Sequence, residues 1–398
     1  MGHNFPRLLV ATEFAPNAPG GGPAVVRQML KKWPVEELCW WSCFSEQTTD
    51  PEQAVSAHRV AVLPGNLYPQ RRYTRTKAWI LENFWVPWAA RHFHKTLKQT
   101  QPDVVWVIPH VWAIPPLAQI LLKSKVRFHT TVQDYPDANN HILRLGAARA
   151  HSLAKLSDEL YSHANTRDAT SREMISDLHL RTQKDAAQVM HAGLEEYDFT
   201  YLSSKKSRHS NEIRIAYPGT IVVERDFELL VSILARIRPI LRADIVLEFF
   251  GTSLSRSRPW FDPSWMREHG PLSAKALLQK LRECTWGLVL MGLSDSDPRY
   301  NRFSFPTKFI TCLAAGLPMI VVGHVNSSLV EMAKRYPVGP VLTSSDPEEI
   351  EKELLMAFAI EDPWSRFGNE IQRCARAEFD ATRTREALYE CFRNGSGR

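Results

Sequence analysis

The run Phe305-Pro306-Thr307-Lys308-Phe309-Ile310-Thr311-Cys312-Leu313-Ala314-Ala315-Gly316-Leu317-Pro318, with the apolar Met319-Ile320-Val321-Val322 behind it, decides the reading of this 398-residue chain. Its pattern is loop, helix, tight turn, buried strand. Ser304 is a candidate N-cap, Pro306 suits the first helical turn, and Gly316 suits a left-handed C-cap ahead of Pro318. A helix start with unpaired backbone N–H groups, the hydroxyl of Thr307 and the ammonium of Lys308 attracts anions, because the amide dipoles and the cation act on the same phosphate. The bland alternative is an ordinary capped helix of an α/β domain.

Outward from this run, strand and helix signals alternate. Apolar runs at 7–11, 38–43, 60–63, 104–108, 126–132, 159–162 and 188–190 read as buried strands. Periodic segments at 24–32, 73–99, 115–123, 141–155 and 169–178 read as helices. The polar stretch Ser203-Ser204-Lys205-Lys206-Ser207-Arg208-His209-Ser210-Asn211 has no apolar residue and marks a linker. The alternation then restarts, with strands at 213–217, 245–250, 286–291 and 318–322 and helices at 227–237, 274–283, 306–315, 347–359 and 363–393. Such alternation implies parallel sheets, and a chain of this length implies two domains. The expected division is 1–203, a linker at 204–211, 212–362, and C-terminal helices at 363–398.

Hydrophobic residues make up 44% and charged residues 23% of the chain, as in an ordinary folded protein. The polar N-terminus is too short for a signal peptide, and no apolar run approaches the ~18 residues that span a membrane, so the chain reads as cytoplasmic. Six cysteines show neither a CxxC pair nor zinc-finger spacing, which favours free thiols over a metal or disulfides. A formal charge of +6 suits an anionic partner, but no nucleic-acid motif accompanies it. Basic residues concentrate between Arg71 and Lys98, with Trp79, Phe84, Trp85, Trp88 and Phe93 interleaved. That mixture suits a peripheral contact with an anionic membrane surface; a solvated helix face backed by core aromatics is the competing reading.

The opening run resembles the "PSK…E…LAAG.P" signature of retaining, nucleotide-sugar-dependent GT-B glycosyltransferases of the family four class. Other resemblances follow in the family's order: Ala18-Pro19-Gly20-Gly21-Gly22-Pro23-Ala24 after the first strand, Val132-Gln133-Asp134-Tyr135-Pro136, Val189-Met190-His191-Ala192-Gly193-Leu194, and Tyr217-Pro218-Gly219-Thr220 leading to Arg225. Together they span residues 8 to 322. The resemblance implies two Rossmann-like domains, an acceptor domain and then a donor domain, facing across a cleft, with a final helix returning to the first.

On that resemblance, the chain transfers a sugar from a nucleotide-diphosphate sugar to an acceptor hydroxyl of a bacterial surface glycan or lipid-linked saccharide, without metal or cofactor. Asp134, Arg225 and Lys308 carry the chemistry, the two cations holding the departing diphosphate. Gly21, Gly22, Gly219, Thr220, Ser304, Thr307 and Thr311 bind the donor. The loop carrying Arg299, Asn301 and Arg302 sets sugar specificity. Asp295-Ser296-Asp297 has the DxD form of a metal site, read here as a solvated loop tip. Thr311 stands where the family carries a ribose-binding glutamate, and Gln133 where many members carry a histidine. These departures motivate one competitor, a catalytically silent GT-B partner of another transferase; a GT-B nucleotide-sugar epimerase, which would need no acceptor, is another.

Overall fold

A computed structural model describes residues 5–45, 53–64, 74–205, 212–241, 243–251 and 258–394. Arg71 to Tyr73 of the basic segment and 206–211 of the expected linker lie outside the described residues. The chain divides into two compact units, residues 1–192 with 381–398, and residues 193–380.

The first unit is built on six parallel strands: β1 (Leu8–Thr12), β2 (Leu38–Ser42), β3 (Ala57–Val60), β4 (Val104–Val107), β5 (Phe128–Val132) and β6 (Thr166–Ala169), in the order β3-β2-β1-β4-β5-β6. Every residue of β1, β2, β4 and β5 is buried, as strands covered by helices on both faces must be. Side chains alternate between faces. Leu9 and Ala11 join Trp41, Phe93 and Leu117 on one side, while Leu8 and Val10 join Met29, Trp40, Trp106, Leu388 and Phe392 on the other. Val10 lies in register with Trp40 of β2 and Trp106 of β4.

The second unit repeats the plan with β7 (Glu212–Pro218), β8 (Asp244–Phe250), β9 (Met266–Glu268), β10 (Trp286–Leu290), β11 (Met319–Val322) and β12 (Val341–Leu342), all parallel, in the order β12-β11-β10-β7-β8-β9. Its core gathers Tyr217, Phe227, Phe249, Trp286 and Ile320.

Several boundaries differ from the sequence reading. Residues 159–162 lie inside the Ala147–His163 helix, and the sixth strand follows at Thr166–Ala169. The helix expected at 141–155 is interrupted at Gly146 (φ +88) and becomes two, Asn139–Leu145 and Ala147–His163. The unit boundary falls at 192/193 instead of 203/204, because the Glu196–Ser204 helix belongs to the second unit: Gln372 Nε2 donates to Leu202 O and Trp364 Nε1 to Lys205 O. Of the C-terminal helices, Pro363–Glu378 stays with the second unit and only Ala381–Asn394 completes the first. There Arg385 Nε donates to Gln28 O (3.2 Å) and Tyr389 OH to Met29 O (2.8 Å). Where the chain enters and leaves the second unit, Leu194 N–H donates to Phe379 O (2.6 Å) and Leu194 bridges Asp380.

Candidate functional site

In the second unit the polar features gather at the carboxyl ends of β7, β8 and β10. This is where open α/β sheets bind ligands, because loops there leave the strands and helices begin. β7 runs into Gly219 (φ +89), and β8 into Gly251 (φ +150). A Cβ on Gly251 would sit 3.0 Å from Gly219 Cα, so the two strand ends approach only as glycines. Lys308 lies against this floor: a Cβ on Gly219 would be 3.4 Å from its Cε and 3.9 Å from its Nζ. Its ammonium is 5.4 Å from the centre of the Tyr217 ring. Among the described residues it forms no ion pair, and burial lowers its pKa from 10.5 to about 8.

Lys308 is the second residue of the Thr307–Ala314 helix, whose N-cap is the extended Pro306 with no capping side chain. Ser304 is therefore not the cap. It ends the short Pro298–Phe303 helix, is buried, and its carbonyl accepts from Ser328 Oγ (2.6 Å). The far end closes as the glycine predicts, Gly316 (φ +65) donating to Leu313 O and Leu317 to Cys312 O. Thr311, half-buried one turn past Thr307, donates its hydroxyl proton to Thr307 O (3.1 Å), which leaves only lone pairs to offer a ligand.

Thr220 is exposed after Gly219, its carbonyl accepting from Tyr217 OH (3.2 Å). Arg225 is exposed at the second position of the Glu224–Ile237 helix. Neither acidic neighbour holds it: Glu224 takes Arg258 (2.9 Å) and Trp260 Nε1 (3.1 Å), and Asp226 accepts from Leu293 N–H (2.8 Å).

The loop expected to set sugar specificity is tied to itself. Asn301 is buried and donates to Ser294 O (2.8 Å), and a Cβ on Gly292 would meet it at 2.8 Å. Arg302 pairs with Asp295, while Arg299 lies 6.0 Å from the Phe303 ring centre. Asp297 caps the Pro298–Phe303 helix through Tyr300 N–H. Both acids of the DxD triplet are thus engaged by protein groups, and no metal-holding cluster occurs among the described residues.

In the first unit the glycine-rich turn opens the Gly21–Leu30 helix behind Gly20 (φ +114). Gly21 is the first helical residue. Gly22 touches the end of β5: a Cβ there would fall 2.5 Å from Gln133 Oε1, itself buried without a hydrogen-bond partner. Asp134 follows, exposed. It lines a cavity of about 230 Å³ together with Glu13, His110, Tyr135, His141 and Arg144. Glu13 follows β1 and accepts from Trp112 N–H (2.8 Å); burial pushes its carboxyl above the usual range. Nε2 of His110 and Nδ1 of His141 are buried without a hydrogen-bond partner among the described residues. Burial, then Arg144 and His110, lower the pKa of His141 to about 4.

Sequence reasoning missed Glu13, His110, His141 and Arg144. A signal existed for two of them, since Glu13 and His110 each stand just past the carboxyl end of a buried strand.

Neither a family model nor a curated protein matches the chain by sequence. Solved structures do match over nearly the whole chain. The sucrose-phosphate synthase of Thermosynechococcus elongatus aligns with 97% of this chain and 98% of its own, at 14% identity and a TM-score of 0.70. A glycosyltransferase from Rickettsia africae ESF-5 covers 98% and 97% at 13% identity and 0.65. WaaG, a glycosyltransferase involved in lipopolysaccharide biosynthesis, covers 97% and 99% at 11% identity and 0.63. Such identities speak for fold alone, and together with two six-stranded parallel sheets they give this chain the two-domain α/β fold of those transferases, GT-B.

Proposed function

We propose that the protein is a retaining, metal-independent glycosyltransferase that moves a sugar from a nucleotide-diphosphate sugar to an acceptor hydroxyl. The observation that carries this is Lys308: a partly buried ammonium without an ion pair among the described residues, on an uncapped helix start, beside the glycine floor at Gly219 and Gly251. Cation and amide dipoles converge on one anion, and a diphosphate is the anion that leaves in such a transfer. The bond from the anomeric carbon to the diphosphate oxygen breaks with its electron pair going to the diphosphate, the acceptor oxygen bonds to that carbon on the same face and gives its proton to the departing phosphate, and Lys308 with the helix amides stabilises the charge that develops. Arg225 supplies a second, exposed cation. Thr220, Thr307 and Thr311 offer hydroxyls to the donor.

The acceptor is a glycan or lipid-linked saccharide reached from an anionic bilayer surface. The long basic segment sorts its aromatics in support: Trp85 and Phe93 are core, but Trp79, Phe84 and Trp88 are 53%, 66% and 44% exposed, around the π-helical turn Leu81–Trp85. With Arg91, Lys95 and Lys98 following, this combination suits headgroup depth. No helix among the described residues is long and apolar enough to cross a membrane.

Calorimetry against uridine, guanosine, adenosine, thymidine and cytidine diphosphates, with and without manganese, tests the reading. Selective, metal-independent binding lost in Lys308→Ala supports it. Binding by none supports the silent-partner reading, which the self-bonded Thr311 favours; unchanged turnover in Lys308→Ala refutes the phosphate role.

A further inference from the structure

We propose that the side-chain amine of Lys308 accepts the acyl group of a small acyl phosphate, and that the amide so formed closes the second unit's anion site. The inference rests on the phosphate role given to Lys308 and adds covalent control to the same site. Three features of the amine's surroundings carry it.

The amine can be reached. Lys308 is half-buried, and its Nζ, which makes no hydrogen bond or ion pair among the described residues, is not one of the fully enclosed unpartnered atoms.

Nothing around it holds its proton. Nζ stands 3.9 Å from the place a Cβ of Gly219 would take and 5.4 Å from the centre of the Tyr217 ring, a floor of glycine backbone and aromatic face with no carboxylate in it. Burial there brings its pKa down to about 8, so at pH 7 roughly a tenth of the amine is neutral, against fewer than about one in a thousand for an ordinary lysine. Lysines withdrawn from water become nucleophiles in this way.

The same place selects phosphate. Lys308 is the second residue of the Thr307–Ala314 helix, and helical side chains lean toward the N-terminus, so Nζ lies on the side of the first amides, which Pro306 leaves without a side-chain cap. A phosphate drawn to those amides presents an acyl carbon, one oxygen away, to Nζ. A thioester or a neutral ester has no phosphate beside its carbonyl and gains nothing from the helix start.

The step balances without a further reactant. Nζ attacks the carbonyl carbon, the bond from that carbon to the phosphate oxygen breaks with its electron pair going to the phosphate, and the proton shed by the nitrogen goes to the departing phosphate. The products are an acylated lysine and inorganic phosphate. The amide is uncharged, so the cation that would hold a diphosphate is gone.

The experiment is peptide mass spectrometry of the full chain after exposure to acetyl phosphate, with p-nitrophenyl acetate as the acyl donor that lacks phosphate. Lys308 should be acetylated at least about tenfold faster than the exposed Lys352, at a rate that saturates with acetyl phosphate, falls with added pyrophosphate and levels off above about pH 8. With p-nitrophenyl acetate the rate should climb without saturating. Treated protein should lose nucleotide-diphosphate affinity in proportion to acetylation at Lys308. Lys308→Arg keeps a cation but has no amine to acylate, so its own affinity should survive the same treatment. The inference is overturned if Lys308 reacts no faster than Lys352, if acetyl phosphate shows no saturation, or if Lys308→Arg loses nucleotide equally on treatment. Nucleotide calorimetry on untreated protein keeps the two claims apart: nucleotide binding without selective acetylation removes this inference alone, and selective, saturable acetylation without nucleotide binding removes the nucleotide-sugar reading and leaves the acyl site.

Discussion

Replacing Lys308 with methionine should stabilise the free protein while destroying its affinity for nucleotide diphosphates. Burial lowers the lysine pKa from 10.5 to about 8, and the nearby Cys312 thiol offsets this only in part. Each pKa unit is about 1.4 kcal/mol of difference between charged and neutral forms, so holding the ammonium in its buried position costs on the order of 3 kcal/mol. Methionine fills similar volume without that cost. For a unit of this size the gain corresponds to a rise of roughly 5–10 °C in melting temperature.

The pH dependence adds an independent check. Between about pH 8 and 10.5 the unfolded chain holds a proton that the folded one has released, so this group makes wild-type stability rise across that window. The methionine variant should lack the increment. Differential scanning calorimetry at pH 7 and pH 10 reads both effects, and isothermal calorimetry reads nucleotide loss. A variant that melts lower at pH 7, or that binds nucleotide diphosphate like wild type, would refute the reasoning.

Gly219→Ala forces a side chain onto φ +89 and against Lys308 Cε; we expect a loss of about 1–2 kcal/mol in urea unfolding and weaker nucleotide binding. Gly22→Ala puts a methyl 2.5 Å from Gln133 Oε1 in a turn read as donor-binding, so turnover should fall at least tenfold and nucleotide binding should weaken with it, read as kcat/KM beside a binding isotherm. Glu13→Gln should raise the melting temperature at pH 7: with its folded pKa raised, native Glu13 stabilises least once pH climbs past the carboxylate range, and the variant should flatten that decline. Serine at Trp79, Phe84 and Trp88 together should weaken sedimentation with phosphatidylglycerol vesicles about tenfold or more at unchanged melting temperature; equal binding would discard the membrane contact.

Sequence reading found the parallel strands that are buried on both faces, because runs such as Leu8-Leu9-Val10-Ala11 and Met319-Ile320-Val321-Val322 have no amphipathic competitor. It failed where burial is partial. β6, Thr-Arg-Asp-Ala, sits at a sheet edge with its first two residues half-buried, so its composition looks like loop, while the apolar 159–162 belongs to a helix. β9 and β12, of three and two residues, were too short to register. At the site, Lys308 was legible because helix start, cation and glycine turn are close in sequence. The Glu13–His110–His141 cavity was not, since it assembles three chain segments separated by tens of residues. Arg302 and Asn301 looked like ligand groups only because Asp295 and Ser294, their partners within the loop, are not announced by any pattern.

The helix Ala381–Asn394 has a bearing on how the protein comes off the ribosome. The first sheet meets its last covering layer only when Leu388, Tyr389 and Phe392 arrive to pack on Trp33, Met29 and Trp106, after the whole second unit has been made. The second unit is an insertion whose two ends pair at Leu194 and Asp380, and it has all its strands in hand by residue 342. The half translated first is thus the half finished last, and a nascent chain stalled before residue 381 carries an uncovered aromatic face.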